Sequence, residues 1–153
     1  MRAKLGANVL APMDEEAAAL DRMIEFAVER LGVSDIVVCG HSQCGAMAAL
    51  MDPTMTEGLP HLKNWVSLAA PVRELIDAKY QHLKTNEERL RAAEEENVLF
   101  SIERLRAYPS VERRLADGTL RLHAWFFKIA TAEMYAYDAV QTQFVPISEL
   151  SER

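Results

Sequence analysis

Four side chains that can do chemistry stand within six positions of one another: Cys39, His41, Ser42 and Cys44, in the stretch "IVVCGHSQCG" over 36–45. Three chemistries fit that spacing. In the first, Ser42 is a nucleophile on a strand-to-helix elbow of the form Gly-x-Ser-x-Gly. Gly40 and Ser42 match, but Cys44 stands where the second glycine should be, and its side chain would crowd the turn. An acid and a histidine must then follow, and Asp77 with His82 or His123 has the right order in ordinary amphipathic surroundings. In the second, His41 and Cys44 form His-x-x-Cys, half of a zinc site, with both donors on one side of a turn and a helix N-terminus favouring the thiolate. Two donors are fewer than the three that a catalytic zinc takes from protein. Cys39, on the apolar run, suits a small lining thiol better than a ligand. In the third, His41 is satisfied by a backbone carbonyl and both thiols pack in a core.

The elements around this knot must hold it. "SDIVVCG" is a short β-branched run without polar alternation, which predicts a strand covered on both faces. "CGAMAALM" continues it as a helix broken at Asp52-Pro53. Before the strand, after an extended start "GANVLAP", Asp14 can cap a helix with Leu20, Ile24, Ala27 and Leu31 on one stripe and Gly32 as its stop. Residues 60–107 read as helical almost throughout, interrupted at Pro71, with Leu90, Val98, Ile102 and Leu105 apolar and Glu94-Glu95-Glu96 on a solvated face. Pro109 opens a short helix closed by Gly118. "TLRLHAWFFKI" and "EMYAYDA" form a hairpin, and "QFVPI" is a final extended segment.

The chain has 153 residues, half of them apolar and 26% charged, which suits one soluble globular domain over 1–153. A formal charge of −6 argues against a nucleic-acid partner, which needs a basic stripe. No apolar run approaches the roughly 20 residues that span a bilayer. Nor does the start have the form of an export signal, and two close cysteines are no disulfide framework, so a cytoplasmic setting is expected.

"DIVVCGHSQCGAMAALM" resembles the second metal motif of the beta-class carbonic anhydrases, whose strand-to-helix turn reads Cys-Gly-His-Ser-x-Cys-Gly. The likeness runs from about residue 5 to 147. It takes in the helix before the strand, Glu-x-Asn-Val at Glu95–Val98, Leu-x-x-x-Pro at Leu105–Pro109 and Leu-His-x-Trp at Leu122–Trp125. The resemblance implies an α/β fold: a Rossmann-like, mostly parallel sheet flanked by helices, with a C-terminal hairpin. It also implies zinc-dependent, reversible hydration of carbon dioxide to bicarbonate, the metal lowering the pKa of its water. Carried over by position, His41 and Cys44 are two of three zinc ligands, Cys39 is a non-ligand, and Ser42 is a turn residue whose hydroxyl holds the loop. Homo-oligomers, dimers or larger, are implied as well.

The family's first zinc cysteine lies in a Cys-x-Asp-x-Arg motif that also supplies the Asp-Arg pair at the fourth zinc position. This sequence has no such motif, and its start resembles a later segment, with Gly6 and Asn8 as remnants. The chain therefore reads as an incomplete, N-terminally truncated domain whose catalytic Asp-Arg pair is missing. Zinc should bind weakly or with a foreign third donor, and hydration should be slow or absent. The strand at 35–40 should expose an unpaired edge, because the missing segment carries the neighbouring central strand. Smaller departures are Gln43, Ser101 for a usual glutamine, Lys128 for a common acid and Ala132 for a turn glycine. His61 and His82 read as surface residues on amphipathic helices; His123 lies in a strand, and all three are at most candidate proton shuttles.

Overall fold

The computed structural model of the chain describes residues 2–6 and 21–150. Asp14, Leu20 and most of the extended start expected over 6–12 lie outside the described residues. Among the described residues the sheet has five strands in sequential order: β1 (Arg2–Gly6), β2 (Asp35–His41), β3 (Arg121–Lys128), β4 (Glu133–Asp138) and β5 (Gln143–Pro146). β2 pairs in parallel with β1 and β3, while β3–β4 and β4–β5 are antiparallel. The hairpin and final strand stand as the alternation of "TLRLHAWFFKI" and "EMYAYDA" predicts.

The exposed edge expected on β2 is not there. β1 covers it in register, from Arg2 opposite Asp35 to Gly6 opposite Cys39. "RAKLG" has two cations and little apolar content, so periodicity gives it no strand signal. What makes it a strand is the demand of β2's backbone donors and acceptors for partners, and among the described residues β1 is the outermost strand on that side.

The first helix, α1, occupies 21–30 as far as it is described, and its last turns, Phe26–Arg30, wind as a π-helix. The wider winding shifts the buried stripe. Ile24 and Val28 are buried, whereas Leu31, expected inside, is 46% exposed. Gly32, at φ +61°, ends the helix as expected. After β2 come α2 (Gly45–Met51), α3 (Pro60–Ser67), α4 (Ala70–Lys79), α5 (Asn86–Arg106) and α6 (Pro109–Ala116), with α7 (Ile147–Leu150) last. The break between α3 and α4 falls at Leu68 and Ala69, because Pro71 is accepted in the first turn of α4, where no N–H is needed. α5 starts on a capping box, Thr85 with Glu88.

α5 is the spine. Its Val98, Ile102 and Leu105 pack on Ile36, Val38 and Phe126 of the sheet, with Ile24 and Val28 of α1 and Val111 of α6. A second apolar cluster joins Met47 and Leu50 of α2, Val72 and Ile76 of α4, Ala93 of α5, and Cys44. The turn after β2 lies between the two clusters. No helix among the described residues is long and apolar enough to cross a membrane.

Candidate functional site: the turn after strand β2

β2 ends at His41 and α2 begins at Gly45, so the chemistry-bearing residues occupy the carboxyl end of a parallel strand. Open α/β sheets place ligands there, because the chain turns away into helices and leaves a crevice. His41 Nδ1 lies 2.9 Å from the carbonyl oxygen of Ser42. A carbonyl can only accept, so Nδ1 carries the proton and Nε2 presents its lone pair. Gln43 sits at φ +59°, a left-handed conformation unusual outside glycine.

That conformation is held from two sides. Ser42 N–H donates to the Phe127 carbonyl, and its Oγ accepts the Ile129 N–H, both at 2.9 Å. The hydroxyl therefore stitches the turn to the end of β3, the loop-holding role expected of it. Asp77 pairs with Arg73 and Arg89, His82 packs against Tyr80, and His123 bonds Asp35. These contacts assemble no acid–histidine pair at Ser42. On the other side, Cys44 N–H donates to Glu94 Oε1 at 2.7 Å.

Glu94 corrects the reading of the acidic run as a solvated face. It is 4% exposed, Glu95 is ion-paired with Arg91, and Glu96 accepts the Tyr80 hydroxyl proton. Burial pushes the Glu94 carboxyl above its usual range, while the bond from Cys44 and the nearby His41 pull it back. A signal for Glu94 was present in the sequence. Counting back four from Val98, which the apolar stripe of α5 buries, gives Glu94.

Cys44 is buried among Met47, Leu50, Val72, Ile76 and Ala93. Cys39 and His41 instead line an open, almost wholly apolar cleft of about 500 Å³ with Gly40, Phe127, Ile129 and Met134. The Cys39 thiol lies 4.0 Å from Met134 Sδ, the lining position expected of it. His61 and His82 are exposed as expected, and His123 is tied to Asp35 at the opposite end of the sheet.

Zinc suits these residues in type but not in number. His41 offers a lone pair on Nε2 with Nδ1 already committed, the usual state of a ligating histidine, and Cys44 offers a thiol. Among the described residues no cluster of three histidine, cysteine, aspartate or glutamate side chains is assembled to hold a metal ion. The donor set is thus partial.

Residues 3–134 match the family model described as carbonic anhydrase. A carbonic anhydrase of Synechocystis is 34% identical over 139 residues, which are 90% of this chain and 50% of that protein. One of Pseudomonas aeruginosa is 34% identical over 145 residues, 95% of this chain and 65% of that protein. Among solved structures, the beta-carbonic anhydrase CcaA superposes with a TM-score of 0.78 at 36% identity, covering 89% of this chain and 64% of that one. One of two tetrameric beta-carbonic anhydrases of Sordaria macrospora gives 0.71 at 29% identity, covering 85% and 64%. The chain thus spans between half and two thirds of the length of these relatives.

Proposed function

The chain belongs to the beta-class carbonic anhydrase family, and on that premise we propose that it carries part of a zinc centre for the reversible hydration of carbon dioxide to bicarbonate. His41 and Cys44 are two of the metal's three protein donors. Residues 1–153 are one incomplete domain, in a cytoplasmic protein that assembles as a homo-oligomer. The observation that carries this reading is the turn at the end of β2. It presents an imidazole with Nε2 available on an apolar cleft suited to a nonpolar gas, and it carries a buried thiol three residues on.

When bound, the metal supplies a Lewis acid that lowers the pKa of a coordinated water. The chain's own residues fix the donors. Ser42 anchors the turn to β3, its carbonyl sets the His41 tautomer, and the cleft walls of Phe127, Ile129 and Met134 keep the approach to His41 apolar. The chain has two cysteines, and Cys39 faces the cleft wall, so the isolated chain is weakly active or inactive. The same shortage favours a second reading, a non-catalytic binding or assembly module built on this fold.

Zinc content by mass spectrometry, with stopped-flow hydration of carbon dioxide, tests both readings. Substoichiometric zinc, lost in His41→Ala and Cys44→Ser, is the expected result, with hydration slow. Stoichiometric zinc with fast hydration would overturn the incomplete site. Zinc uptake indifferent to both substitutions would remove His41 and Cys44 from it.

A further inference from the structure

We propose that Glu94 is the positioning residue of the His41–Cys44 turn: from α5 its buried carboxylate takes the Cys44 backbone N–H and so fixes where the thiol stands relative to the imidazole. The inference deepens the zinc reading and rests on it for the meaning of the two donors. Three observations converge on Glu94. It is 4% exposed, and it holds Cys44 N–H at 2.7 Å across fifty positions of sequence. Gln43, between the donors, is in a left-handed conformation that a non-glycine residue keeps only when its surroundings impose it. Cys44 caps α2 without any cap bond from its own side chain, which leaves the thiol uncommitted to the helix end.

The packing beneath the turn adds to these three. A Cβ on Gly40 would stand 2.4 Å from Val98 Cγ2 and 3.7 Å from the Glu94 carbonyl oxygen. Val98 lies one helical turn after Glu94, on the same face of α5. The missing side chain at Gly40 thus lets α5 approach β2 closely enough for the Glu94 carboxylate to reach the turn. A carboxylate is also the fitting group. Either of its oxygens can accept the Cys44 N–H, whereas a glutamine has one accepting oxygen and an NH₂ that would oppose the donor.

The test uses the metal-free chain first. Iodoacetamide labelling, read by mass spectrometry at each cysteine, should show Cys44 reacting about tenfold faster or more in Glu94→Gln through local opening of the turn. Cys39 is the internal control and should keep its wild-type rate. Cobalt titration, followed by thiolate-to-cobalt absorption, should then show affinity weakened about 10- to 100-fold. Ile102→Val loosens the same helix without touching the turn and should leave both readings at wild type. If Glu94→Gln fails to fold by circular dichroism, Glu94→Asp replaces it, with a carboxylate one methylene short and the same direction of change. Unchanged Cys44 labelling and cobalt affinity in a folded variant overturn the inference. A wild-type chain that gives no thiolate–cobalt band, while Glu94→Gln still exposes Cys44, removes the zinc reading and supports the hold of Glu94 on the turn.

Discussion

A carboxylate stands at each end of β2, Asp35 of the strand itself and Glu94 reaching over from α5, and the two behave in opposite ways. At the amino end, Asp35 stands in a ring of partners: Arg121 with two bonds at 2.9 and 3.1 Å, His123 at 2.8 Å and the Ser34 hydroxyl at 2.7 Å. Led by Arg121, they hold its carboxyl far below the usual range. At the carboxyl end, the Glu94 carboxylate of α5 takes the Cys44 backbone N–H, and burial holds its carboxyl above the usual range. The perturbation at Asp35 marks the less informative place. Asp35 ties two exposed strand starts together at the surface, where ion pairs contribute little. Glu94 is buried and holds the turn that carries His41 and Cys44. Perturbed titration points to a site only together with geometry.

Substitution beneath the turn should separate the two ends most sharply. Gly40→Ala drives a methyl into Val98, so either the side chain shifts or α5 moves off β2. Overpacking of this kind costs about 1–3 kcal/mol. Thermal denaturation should show the loss, and Cys44 should label faster, while the Arg121–Asp35 pair at the far end stays intact. If Gly40→Ala melts with the wild type and keeps Cys44 protected, the close approach of α5 is not what holds the turn. Ser42→Ala should act on the same end more gently. It removes the acceptor of the Ile129 N–H, a loss of about 1 kcal/mol at a partly exposed site where water can substitute. An effect on stability as large as that of Gly40→Ala would place the main anchor of the turn on β3 instead of α5.

The two ends also differ in how far the sequence revealed them. The strand, the helix break at Asp52-Pro53 and the turn with His41, Ser42 and Cys44 were legible, because residue types and local spacing encode them. Ser42 as a stitch and Cys39 as a wall followed from their positions relative to β2. What was not legible depended on partners distant in sequence. Glu94 reads as one of three surface acids until α5 is laid against Gly40. Arg2–Gly6 becomes a strand only because β2 needs a neighbour. Leu31 leaves the core because α1 ends in π-helical turns, which an ideal period of 3.6 does not anticipate.

A smaller effect lies in the hairpin that begins where Ser42 is anchored. Ala132 has φ +55°, the left-handed region, at the position where family resemblance suggested a glycine. Left-handed geometry costs a residue with a Cβ about 1–2 kcal/mol, and glycine returns part of that through its freer unfolded chain. Ala132→Gly should therefore stabilise the protein by about 0.5–1 kcal/mol, seen as a rise in melting temperature without a change in Cys44 labelling. A fall in melting temperature would show that the turn tolerates the methyl without strain.

The smallest effect belongs to the amino end and is read by pH. Because the Asp35 carboxyl is depressed in the folded protein, its contribution is fully present above the unfolded value of about 3.9. It is lost progressively as the pH falls below that value toward the folded one, since the unfolded chain takes up the proton first. Wild type should thus exceed Asp35→Asn in stability at neutral pH by a small margin that shrinks through the acid range. The cluster is exposed to solvent ions, so salt should shrink the margin too. Denaturant melts of the two proteins at neutral and acid pH measure it. A margin that grows as the pH falls would mean that the Arg121 and His123 contacts do not favour the ionised form. A margin large enough to rival Gly40→Ala would overturn the contrast itself, making the surface pair at the start of β2 as important to the fold as the buried turn at its end.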